Sequence, residues 1–180
     1  EKWNKKFNLN DSKIKNFLMF LNDAQTVETY STQQFDSWNY DETVKPEVLS
    51  DSNWIKLLVK KYSDTKDPFL KNRYWFLIVK ANFYSDKPAN GITFFNQTEK
   101  SAPKNTLYYR ALAYVAGIEY KQKHYAKSNF LYSQVFDKCP TMRVVSAYCF
   151  HPQEQKDWKQ SLAMAKTDDE KAALWAIQGY

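Results

Sequence analysis

The chain has 180 residues, a mass of 21.3 kDa and a formal net charge of +6, with 43% hydrophobic and 17% aromatic residues; this is the size of one large domain with a real core, and it excludes disorder as the main organisation. Only three glycines occur, Gly91, Gly117 and Gly179, which argues against hairpins and phosphate-cradling loops and points to helices. The positive charge is carried by lysines scattered among acidic residues, without the run of like charges that a polyanion-binding tail needs, and no apolar run approaches the roughly 18 residues of a membrane span.

Residues 1–66 read as an irregular helical segment. A helix is expected from Asp11 or Ser12 to Leu21, with Ile14, Phe17, Leu18 and Leu21 on its apolar face, and a second from about Thr26 to Trp38. Asn39 to Val48, which holds Pro46, reads as a loop, after which Ser50 or Asp51 caps a helix with Trp54, Leu57, Leu58 and Tyr62 on one face. Asp67 followed by Pro68 is the next start signal, because the carboxylate accepts the orphan amides and proline fits the first helical position.

Beyond that point the sequence repeats. The three arginines, Arg73, Arg110 and Arg143, lie 37 and 33 residues apart and serve as register marks. Steps forward from Arg73 meet Trp75, Ile78, Val79, Gly91, Phe95 and Pro103. The same steps from Arg110 meet Leu112, Val115, Ala116, Ser128, Tyr132 and Pro140. Large apolar, aliphatic, small or aliphatic, small, aromatic and proline recur in that order, which resembles the tetratricopeptide repeat. Tyr109 to Met142 carries the resemblance best, with Glu119 to Tyr125 similar to that family's inter-helix turn; Pro88 stands where the family prefers tyrosine.

The resemblance implies an all-α, right-handed α-α superhelix over residues 67–180, with repeats at about 72–105 and 109–142, a degenerate one at 142–166 and a partial one at 168–180. Gly91 and Ser128 are then close helix contacts, Phe95 and Tyr132 fill the space towards the next repeat, and Pro103 and Pro140 end second helices. In the third unit the steps from Arg143 meet Val145, Tyr148, Cys149, Trp158, Ser161 and Ala165, but the proline is missing and His151-Pro152 breaks the first helix early. Thr167 to Glu170 forms a capping box that starts another helix, and Trp175 to Gly179 resembles the opening of a fourth unit. A solenoid that stops inside a repeat lacks its cap, so the expectation is a fragment of a longer chain whose remainder is one of its partners. The arrangement also resembles large bacterial helical-repeat proteins of unknown role, which implies export to the periplasm or cell surface.

Catalytic signatures are lacking: the sequence has no nucleophile elbow, phosphate loop, His-Glu-x-x-His or dinucleotide fingerprint. His124, Cys139, Cys149 and His151 do not have the spacing of a closed zinc site, and helical rise holds Cys139 and Cys149 near or beyond disulfide reach. No cofactor and no metal are therefore expected, and the chain reads as a non-enzyme. Three arginines and no lysine track argue against nucleic acid.

The resemblance instead implies an inner face formed by the first helix of each repeat. It is lined by Arg73, Phe76, Lys80, Phe83 and Tyr84, then Arg110, Gly117, Tyr120 and Lys121, then Arg143 and Phe150. Such a basic and aromatic groove suits a protein or an extended peptide with acidic groups. The competing readings are that the arginines pair with acids of neighbouring helices while the aromatics pack, or that the aromatics line a carbohydrate-binding or glycan-processing site. Phe76 stands where the family's C-terminal-carboxylate clamp has lysine, so that activity does not carry over.

Overall fold

A computed structural model describes residues 11–32 and 52–180. Among them the fold is all-α: α1 (Ser12–Ser31), α2 (Ser52–Asp64), α3 (Pro68–Phe83), α4 (Ala89–Thr98), α5 (Thr106–Lys121), α6 (Tyr125–Lys138), α7 (Arg143–Cys149), α8 (Gln155–Met164) and α9 (Asp168–Gln178), with no strand. None of these helices is long and apolar enough to cross a membrane. The expected loop over 39–48, the Ser50 or Asp51 cap and residues 33–38 of the expected second helix lie outside the described residues.

The start signals act locally as their chemistry dictates. Asp67 accepts from the amides of Phe69 and Leu70 ahead of Pro68 in the first turn of α3. Asn105 does the same for Leu107 and Tyr108 at α5, and Thr167 and Glu170 exchange both bonds of a capping box at α9. The turn between α5 and α6 closes with Lys123 N bonded to Tyr120 O and His124 N to Glu119 O, which places Lys123 in the left-handed region at φ 64°. A side chain there costs about 1 kcal/mol. Lys123→Gly is therefore expected to stabilise the protein by about that amount, read as a raised midpoint in urea at unchanged slope.

Short connections make α3/α4 and α5/α6 helical hairpins, and α3 lies along α5. The positions repeated between them are core positions. Trp75, Ile78, Val79, Gly91 and Phe95 are all buried, as are Leu112, Val115, Ala116, Ser128 and Tyr132. A Cβ on Gly91 would stand 3.0 Å from Asn82 Cβ and 3.0 Å from Ile118 Cδ1, so this glycine is what lets α4 sit so close to α3 and α5. Phe95 does bridge to the following hairpin: its ring centroid lies 5.4 Å from that of Trp75 and 5.5 Å from that of Tyr108. Pro103 falls beyond a 3-10 turn over Glu99–Ser101 rather than at the end of α4, which already stops at Thr98.

The first two helices differ from the expectation. α1 is one continuous helix across residues 21–26, and its buried side is Phe20, Asp23 and Val27, while Phe17, Leu18 and Leu21 are exposed. The buried face is set by charge as well as apolar pattern: Asp23 Oδ2 meets Lys61 Nζ of α2 at 2.7 Å and accepts from Tyr74 Oη of α3 at 3.1 Å. On α2, Leu58 is fully buried as expected, Leu57 is exposed, and Ile55 and Val59 face the core instead. Both helices pack on α3, and Phe20, Val27 and Leu58 share a cluster with Leu70, Tyr74 and Leu77.

The C-terminal part also departs from simple stacking. α7 has only seven residues before Phe150 and Pro152 and does not continue the row formed by α3 and α5. Instead α7, α8 and α9 all pack on α6. Ser161 of α8, at the predicted small-residue position, is fully buried and donates to Ala126 O of α6 at 2.9 Å.

Candidate functional site

Along α5, Arg110, Tyr114, Gly117 and Lys121 follow one another at steps of four, three and four residues, which puts them on a single stripe of the helix. The parallel stripe on α3 carries Phe76, Lys80, Phe83 and Tyr84. The two stripes touch. The Tyr114 ring lies 5.1 Å from Phe83, 6.0 Å from Phe76 and 6.1 Å from Tyr84, forming a continuous aromatic floor. Gly117 makes this possible, because a Cβ on it would come within 2.7 Å of Phe83 Cε2. Burial raises the pKa of both Tyr84 and Tyr114, so the floor stays uncharged.

The cations divide into two kinds. Lys80 is 4% exposed and is paired with Glu28 of α1, so it is internal to the fold. Hydrogen bonds from Lys80 and from Ser31 hold the Glu28 carboxyl below its usual range. Arg110 and Lys121 form no direct salt bridge among the described residues, although Glu28 lies near enough for the Arg110 charge to help lower its pKa. The Arg110 guanidinium lies 5.3 Å from the Phe76 centroid, and Lys121 Nζ lies 3.7 Å from that of Phe83 while donating to Phe83 O at 3.0 Å. Burial pushes the Lys121 pKa down.

The remaining sequence-selected residues go elsewhere. Arg73 folds back over Phe69 at 3.4 Å from the ring centroid. Tyr120 stands edge-on to Tyr125 at 5.2 Å, near Gln153. Arg143 donates to Phe136 O at 3.2 Å. Phe150 is buried, with its ring against Trp158 at 6.3 Å. None of the three arginines pairs with an acid among the described residues; each lies over an aromatic ring. Tyr114 and Glu28 were absent from the expected set. Helical periodicity from Arg110 finds the first, whereas no local signal points to the second, which meets Lys80 across 52 positions of sequence.

Other groups that carry chemistry are occupied by the fold. Cys139 and Cys149 are both free thiols, Cys139 against Thr141 Oγ1 at 3.4 Å and Cys149 close to Tyr132. No cluster of His, Cys, Asp and Glu among the described residues has the arrangement to hold a metal ion. A cleft of 610 Å³ between the α5–α6 turn and α8 contains Glu119, Glu154 and Asp157. In it Glu119 Oε2 is held by His124 Nδ1 at 2.8 Å, and Asp157 Oδ2 accepts the amides of Gln153 and Glu154 at 3.1 and 2.9 Å, capping α8. These two carboxylates are committed to local structure. Compared with family models, curated proteins and solved structures, the chain matches none.

Proposed function

We propose that the chain is a non-catalytic scaffold of tetratricopeptide-like helical hairpins that binds an acidic protein segment across α3 and α5. The repeated core positions and the two packed hairpins support the likeness to that repeat. The observation that carries the functional reading is the pair of cations, Arg110 and Lys121, lying on an aromatic floor without a direct salt bridge to any described carboxylate. An ammonium or guanidinium held against rings has given up part of its hydration, and an arriving carboxylate restores charge compensation to it.

Fluorescence anisotropy with labelled acidic peptides tests this. Binding should weaken with added salt, and Arg110→Ala with Lys121→Ala together should reduce affinity at least tenfold while leaving the circular dichroism spectrum unchanged. The glycan reading draws on Trp175, which is 59% exposed at the edge of Trp158. Saccharide binding on a glycan array that disappears in Trp175→Ala, with no acidic-peptide binding, would replace the scaffold reading with that one.

A further inference from the structure

Resting on the reading above, we infer that the ligand of the α3–α5 face is an extended segment of the pattern acidic-x-apolar-x-acidic, its two carboxylates engaging Arg110 and Lys121. The sequence offers five basic groups to the inner face, and the structure reduces them to two. Glu28 takes Lys80 out of reach, Arg73 lies back on Phe69, and Arg143 turns towards the end of α6. What is left is one cation at either end of the Tyr114 floor.

Their separation sets the ligand's register. Arg110 and Lys121 are eleven residues apart on one helix face, about 16 Å between their backbones at 1.5 Å per residue. Their charged ends are closer, since they rest on Phe76 and Phe83, seven residues or about 10 Å apart along α3. An extended chain advances about 3.3 Å per residue, so carboxylates four positions apart span about 13 Å, and strand alternation turns both to the same side. The residue midway between them faces that side as well. It meets the paired rings of Phe83 and Tyr114, of which Phe83 is seated directly on Gly117, so an aromatic or large aliphatic side chain is favoured there.

The test uses acetylated and amidated peptides, so that no terminal charge takes part, and the full 180-residue protein. Glu-Ala-Tyr-Ala-Glu within a neutral flank is compared with isomers of the same composition that bring the two glutamates together or set them eight apart, and with a Gln-Ala-Tyr-Ala-Gln control. The four-residue spacing should bind at least tenfold more tightly than either isomer. Replacing the glutamate that meets Lys121 by glutamine should make Lys121→Ala silent while Arg110→Ala still weakens binding, and the converse should hold for the other glutamate. Gly117→Ala should lower affinity for the tyrosine peptide more than for one with alanine at that place. Equal affinity across all spacings overturns the register and leaves an unspecific acidic-peptide surface. No binding by any acidic peptide to a protein with an unaltered cooperative melt overturns both the register and the scaffold reading.

Discussion

Trp75→Ala is expected to destabilise the protein by about 3–5 kcal/mol, the range for removing a fully buried indole, and to lower the melting temperature by roughly 6–20 °C for a chain of this size. Trp75 is 1% exposed. Its ring lies parallel to that of Tyr108 at 5.8 Å, tilted against Phe95 at 5.4 Å, and its Nε1 donates to Thr98 Oγ1 at 2.7 Å. It therefore joins α3 to α4 and both to α5, and the cavity left behind cannot be filled by one neighbour without moving a second helix. Trp75→Phe keeps ring contact and loses the bond to Thr98, whose hydroxyl still donates to Phe94 O at 2.7 Å; about 1–2 kcal/mol is expected. Urea unfolding checks both. A loss under about 1 kcal/mol for the alanine variant would show that Trp75 is not the joint between the hairpins.

The Glu28–Lys80 pair is expected to respond asymmetrically. Glu28→Gln leaves the Lys80 ammonium buried without a counter-charge and should cost about 2–3 kcal/mol, somewhat below the value for a wholly buried pair because the Glu28 side chain is 55% exposed. Lys80→Met removes the charge and keeps most of the stem's volume, and should cost under about 1 kcal/mol. The folded-state pKa of Glu28 lies below the ordinary glutamate value. Its contribution is thus complete above that value and disappears as pH falls through the lower, folded one. In Lys80→Met this part of the acid destabilisation should vanish, so the wild-type stability curve should fall towards the variant's and pass below it as pH drops below the ordinary glutamate range. Equal losses for the two substitutions at pH 7 would place the pair's role in shape rather than charge.

Where the sequence was legible, the reason was local. Asp67-Pro68 and the Thr167 to Glu170 box act within one helical turn, and the small and aromatic steps at Gly91, Phe95, Ser128 and Tyr132 mark contacts inside a hairpin or to the next. The sequence is not legible where burial is decided at a distance. Apolar periodicity in α1 selects Phe17, Leu18 and Leu21, yet Asp23 and Glu28 are tethered to Lys61 and Lys80, and this rotates that face outward. Lys80 looked like a groove residue for the same reason, its partner being on another helix. Repeat spacing puts Phe150 and α7 on the inner face, whereas a short helix ahead of Pro152 packs on α6 and not along the row of α3 and α5. The floor at Tyr114 was within reach of helical periodicity, but its contact with Phe83 depends on how α3 and α5 are juxtaposed.

Helix α6 is surrounded by α5, α7, α8 and α9, and Ser128, Asn129, Ser133 and Val135 on it are wholly buried. In an array where each unit touches only its neighbours, the ends fray one at a time and stability adds up unit by unit. Here the last three helices share one support, so none of their docking sites survives the loss of α6. Amide protons of α6 should accordingly exchange only when the whole C-terminal part opens, at one common free energy, and the last helices should unfold together with it as a single cooperative block.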